Sequence, residues 1–80
     1  MRNKPKEAIV TRMSKEEAID IARHEEISEP FRDAMTMARV EEHNGQIVWI
    51  VSSATVGSRI CVAIDDATGK VVKAERLGVR

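Results

Sequence analysis

Eighty residues with thirteen acidic and thirteen basic side chains make one domain at most, with a formal net charge of zero. That balance gives no long-range pull toward nucleic acid or an anionic membrane, and one Phe, one Trp and no Tyr are too few rings for a base-stacking sheet. The single cysteine, Cys61, has no internal disulfide partner, so the fold stands without a covalent staple.

Cytoplasmic residence is the expectation from these features. Arg2, Lys4 and Lys6 precede an apolar run of only Ala8, Ile9 and Val10, too short for a signal peptide, and no later stretch approaches membrane-spanning length. A leader cut away upstream of Met1 would reverse that expectation.

Residues 1–12 read as a charged lead-in, with Ala8, Ile9 and Val10 docking on the core or forming a short extra strand; residues 13–80 read as a single α+β domain. Ser14 with Glu17 three residues on is a capping-box pattern that fixes a helix start. Lys15, Glu16 and Glu17 fill the first turn, where the carboxylates complement the positive helix end. Ala18, Ile21 and Ala22 share one face, with Ile19 beside them, so the segment is a one-sided helix of about three to four turns that lies on a sheet. It must stop before Pro30, and Glu25, Glu26 and Glu29 crowd its negative end. Phe31 drops into the core as the chain turns.

Asp33–Glu42 suits either a short helix or a strand by composition. The Asn44-Gly45 pair after it is a hairpin signal leading into a clear strand, so a strand is assigned over Thr36–Glu42. The run Gln46–Ser53 sets Ile47, Trp49 and Val51 against Val48, Ile50 and Ser52. In Arg59–Ile64 the same alternation sets Ile60, Val62 and Ile64 against Arg59, Cys61 and Ala63. Val71–Leu77 sets Val72 and Ala74 against Val71, Lys73, Glu75 and Leu77, as an edge strand would; Gly78, Val79 and Arg80 make a tail. The architecture expected is one N-terminal helix on an antiparallel meander of about three or four strands.

The ordered set SKEEAIDIA, IVWIV and ICVAIDDATGKVVKAE, spanning Ser14 to Arg76, resembles the PepSY family of small domains. The closing segment, an apolar strand, an Asp, a turn through Thr68-Gly69-Lys70 and two β-branched residues, is its most specific part. The resemblance implies a helix packed on an antiparallel sheet, a binding activity often inhibitory toward peptidases, and no catalytic residues. The WIV and IDxxTGKV elements also resemble, more weakly, small helix-and-sheet immunity proteins, which implies a toxin-neutralising role.

No constellation for catalysis is visible. His24 lies on the helix and His43 in a turn, with no cysteine at ligand spacing, so neither a metal nor another cofactor is expected. Cys61, between Ile60 and Val62, reads as a small apolar side chain rather than a nucleophile. Asp65 and Asp66 lack the alternating oxygen ligands of a calcium loop and read as turn formers with Gly69, as Asn44 and Gly45 do in the first hairpin. Ser52–Ser58 lacks the lysine and glycine spacing of a phosphate loop; it reads as a connection, with recognition as the alternative. Trp49 reads as core, or as a partner anchor if its strand parity is reversed.

The expected core is Ala18, Ile21, Ala22, Phe31, Trp49, Val51, Ile60, Val62 and Ile64. One helix covers one face of a sheet, so Val48, Ile50, Cys61 and Ala63 on the other face are the expected interface. The function expected is non-enzymatic protein binding. Its occupant is a protein partner, such as a peptidase, or a second copy in a homodimer, with no nucleic acid or membrane as partner.

Overall fold

In the computed structural model, residues 10–29, 31–53 and 58–78 are described, and they form one helix packed on a four-stranded antiparallel sheet. Helix α1 spans Lys15–Arg23. Strands β1 (Met35–His43), β2 (Gln46–Ser53), β3 (Ser58–Asp65) and β4 (Val71–Gly78) follow in the order β1-β2-β3-β4, a plain meander. No helix among the described residues is long and apolar enough to cross a membrane.

The start of α1 is fixed by reciprocal hydrogen bonds. The Glu17 backbone N–H donates to Ser14 Oγ at 3.1 Å, and the Ser14 N–H donates to Glu17 Oε1 at 2.8 Å. Its end comes earlier than the apolar pattern suggested, after nine residues rather than three to four turns. His24 N–H bonds the Ile21 carbonyl and Glu25 N–H the Ala22 carbonyl, three residues back, so the last turn tightens. The acidic residues beyond it disfavour further helix at the negative end of the dipole. The chain continues as a 3₁₀ turn, Glu26–Ser28. Fully buried Ser28 donates its hydroxyl to the Ala22 carbonyl at 2.5 Å, a second bond to a helix-end acceptor that the Glu25 N–H also engages. Ser28→Ala removes one buried hydrogen bond but leaves the Ala22 carbonyl its bond from the Glu25 N–H, so it should lower unfolding free energy by about 0.5–1.5 kcal/mol in urea titration; no change in midpoint would show that the hydroxyl bond contributes nothing.

The β1–β2 hairpin closes through Asn44 (φ 53°) and Gly45 (φ 84°), and the paired positive φ values match the right-handed twist of the flanking strands. The β3–β4 turn is held by Asp65. Its Oδ2 accepts from the Thr68 N–H at 3.0 Å and hydroxyl at 2.7 Å, while Gln46 Nε2 donates to Oδ1 at 3.1 Å. Thr68 first, then Gln46, keep this carboxyl below the ordinary Asp range. Gly69, at φ 78°, completes the reversal.

Register assigns the faces. Val40 pairs with Trp49 and Trp49 with Ile64; Ala38 pairs with Val51 and Val51 with Val62. These residues face α1, whose Ala18 and Ala22 are fully buried and let the helix sit close. Trp49, Val51, Ile60, Val62, Ile64 and Met35 complete the buried cluster, while Ile21 and Phe31 are half-buried against it.

Both edge strands carry a bulge that alternation alone does not show. Met35 pairs with Ser53 but Met37 with Ser52, so Thr36 is the extra residue. The two methionines consequently take opposite faces: Met35 is fully buried and Met37 is exposed. On β4, Val71 pairs with Ile64 but Lys73 with Ala63, making Val72 the extra residue. This corrects the simple parity of that strand: Val71 packs against the core and Val72 faces solvent.

At the front of the domain, Val10 is exposed and lies outside any strand, contrary to the docking expected of it; Ala8 and Ile9 fall outside the described residues. Arg12 and Met13 are anchored, their backbone N–H groups reaching across to Asp66.

Candidate interaction surface

The face of the sheet opposite α1 is built in cross-strand rows. Glu41, Val48 and Asp65 form one row; Arg39, Ile50, Ala63 and Lys73 the next; Met37, Ser52, Cys61 and Glu75 the third; Arg59 and Leu77 lie beyond. The expected interface residues Val48, Ile50, Cys61 and Ala63 thus share one face, on the two central strands. Small side chains at Ser52, Cys61 and Ala63 set the floor low, while long ones on the outer strands stand up around it. The result is a basin of about 340 Å³ whose described lining residues all come from the four strands.

Burial on this face is graded. Val48 is 8 % exposed and Ser52 7 %, whereas Ile50, Cys61 and Ala63 remain partly open. The charged rim is partly paired. Arg39 places Nε and one terminal nitrogen 2.9 and 2.7 Å from Glu41 Oε2, and His43 Nε2 lies 2.9 Å from Oε1 of the same carboxylate. The His43 contact first, then Arg39, hold Glu41 below the usual carboxylate range. Lys73 Nζ stands 3.9 Å from Glu75, and Arg59 has no ion-pair partner among the described residues. Cys61 is a half-buried free thiol.

Asp66 takes a different position from its neighbour in the turn. It is 4 % exposed, and its carboxylate points inward rather than capping the turn. Oδ1 accepts from the Trp49 indole N–H at 3.0 Å and the Met13 N–H at 2.9 Å; Oδ2 accepts from the Arg12 N–H at 2.6 Å. Burial pushes this carboxyl up, but the Arg12, Met13 and Trp49 donors, with the Arg12 charge, outweigh it and leave it below the ordinary Asp range. Its own N–H bonds the Ile47 carbonyl at 2.9 Å. The group is a tie between lead-in, β2 and turn, and it fixes Trp49 on the helix face.

The remaining candidate residues stay apart. The His24 ring bonds the Asp20 carbonyl one turn back on the exposed side of α1, and His43 pairs with Glu41 at the hairpin end. Among the described residues no group of three or more His, Cys, Asp or Glu side chains is placed to hold a metal ion. In the Ser52–Ser58 connection, Ser52 and Ser53 end β2, the Ser53 hydroxyl accepts from the Ile60 N–H at 3.0 Å, and residues 54–57 lie outside the described residues.

Fold and site together define an α+β domain in which α1 covers one sheet face and, among the described residues, no helix covers the other. Comparison with family models, with curated proteins and with solved structures returned no match.

Proposed function

We propose that this chain is a non-enzymatic protein-binding module whose contact surface is the open sheet face. One observation supports the reading above others: a low floor of Ile50, Ser52, Cys61 and Ala63, framed by charged side chains, with no helix or turn among the described residues that line the basin. A rigid sheet with such a surface suits recognition, since its side chains need little ordering on contact. A peptidase is the first partner class to test, as the PepSY-like order of segments implies. Cytoplasmic residence belongs to the same reading, because the fold uses no disulfide and carries Cys61 as a free thiol.

A second reading is that the face pairs with itself in a structural homodimer. The zero net charge of the chain favours it, because copies lack overall repulsion.

Ile50→Asp tests the surface under both readings. It puts a charge at the centre of the floor, on a side chain that packs no core residue. The expected result is an unchanged circular dichroism spectrum, with loss of whatever association the native chain shows in sedimentation at micromolar concentration or in crosslinking to candidate peptidases. An association that survives Ile50→Asp would place the contact elsewhere and refute the assignment.

A further inference from the structure

We propose that the open-face basin receives an acidic segment of a partner protein, with carboxylates set around one apolar side chain. The inference rests on the protein-binding reading and narrows it to one partner chemistry.

The charges that line the basin are unequal although the chain is neutral. Among the described residues, Arg39, Arg59 and Lys73 stand around it against the one carboxylate of Glu75. Their positions follow from the register: Arg39 and Lys73 end the same cross-strand row on opposite edges, and Arg59 sits beside Leu77 at the far end. Much of this positive charge is uncommitted. Arg59 has no ion pair among the described residues, and Lys73 is only loosely matched to Glu75 at 3.9 Å. Arg39 uses Nε and one terminal nitrogen on Glu41, which leaves its other terminal nitrogen without a partner among the described residues. Guanidinium groups offer forked donors suited to carboxylates. Between them Ile50, Cys61 and Ala63 give an apolar floor for a single inserted side chain.

The same arrangement disfavours the other occupants. An isologous contact lays the patch on itself, so a second copy would bring three cations and one carboxylate against the same set, an excess of like charge. Like charges juxtaposed in an interface weaken it. A nucleic acid would meet the cations but no ring to stack on, since none lines the basin.

The test is selection of displayed random decapeptides on the immobilised 80-residue chain. Selected peptides are then titrated into the isotope-labelled chain while amide shifts are followed, with oligothymidylate titrated in parallel. The expected selection is enriched in Asp and Glu flanking an apolar residue. Its binding shifts the amides of Ile50, Cys61 and Ala63, weakens as salt is raised, and falls about tenfold or more in Arg59→Glu, a variant of an exposed residue whose amide spectrum reports that it remains folded. Basic or uncharged peptides landing on the same face would overturn the acidic chemistry while leaving the binding reading standing. So would concentration-dependent shifts on that face without peptide, which would make the occupant a second copy. Tighter binding of oligothymidylate would replace the protein segment by nucleic acid. Shifts confined to other surfaces, or none at all, would refute both the inference and the reading beneath it.

Discussion

Asp66→Ala is expected to remove about 3–4 kcal/mol of stability, a large share of the roughly 4–12 kcal/mol that a domain of this size has. The substitution takes away one carboxylate and leaves three donors, on Arg12, Met13 and Trp49, without their acceptor. The indole N–H is the most severe loss, because Trp49 is 6 % exposed and water has little access to it. Trp49 is also the only tryptophan in a chain without tyrosine, so the fluorescence comes from the one ring that this contact holds. Urea unfolding followed at that signal should show a lower midpoint and, before the transition, a changed native baseline. Asp66→Asn should fall between, since its amide offers one oxygen where the carboxylate offers two. A midpoint within error of the native chain for Asp66→Ala would mean the tie contributes nothing.

The same carboxylate sets a pH dependence. Its folded-state pKa lies below its ordinary value near 4, so the unfolded chain binds the proton more readily than the folded one. The contribution is therefore complete above about pH 4 and is lost as pH falls through the lower, folded-state value. Glu41 and Asp65 are displaced in the same direction and act alongside it. Comparing the native chain with Asp66→Asn isolates the Asp66 share: the two stability curves should converge as the solution is acidified. Parallel curves down to acid pH would contradict the assignment.

What the sequence discloses and what it hides divide along sequence separation. The helix start is legible because Ser14 and Glu17 interact three residues apart, and the first hairpin because Asn44 and Gly45 carry their own backbone preference. The two central strands are legible as well. Their apolar residues keep an unbroken two-residue period, so Trp49, Val51, Val62 and Ile64 sort together without reference to any partner. On the edge strands that period fails. A single inserted residue at Thr36 or Val72 reverses the faces on either side of it, and nothing in the local composition marks it. Asp66 is legible as part of a turn but not as a tie, because its donors lie 17, 53 and 54 residues away. Ser28 is hidden for a related reason: a serine six residues beyond Ala22 looks like any loop serine until the helix is seen to end early. The candidate surface is half legible. Its floor of Ile50, Cys61 and Ala63 follows from parity, but placing Arg39 and Lys73 at the ends of one row requires the pairing of all four strands.

Ile50→Asp and Val51→Asp, adjacent on β2, should give opposite results, and this contrast is the most direct measure of which face is the core. Val51 is fully buried between Ala38 and Val62 beneath α1. An aspartate there would have to bury its charge without a partner or take up a proton, and either route costs several kcal/mol on top of the lost apolar packing. Against a total of roughly 4–12 kcal/mol, that is enough to leave the chain largely unfolded at neutral pH. Ile50, one residue earlier, points to the open face with Arg39 and Lys73 in its own row. Its aspartate stays in contact with water and has cations within the same row, so its unfolding free energy should change little, by about 1 kcal/mol or less. Circular dichroism and dispersion of the amide spectrum distinguish the outcomes: collapse of both for Val51→Asp, retention of both for Ile50→Asp. The reverse pattern would shift the register of β2 by one residue and put Trp49 on the outside. Unfolding by both variants would mean that the sheet is packed equally tightly on its two sides, and the proposed contact surface would be part of the core.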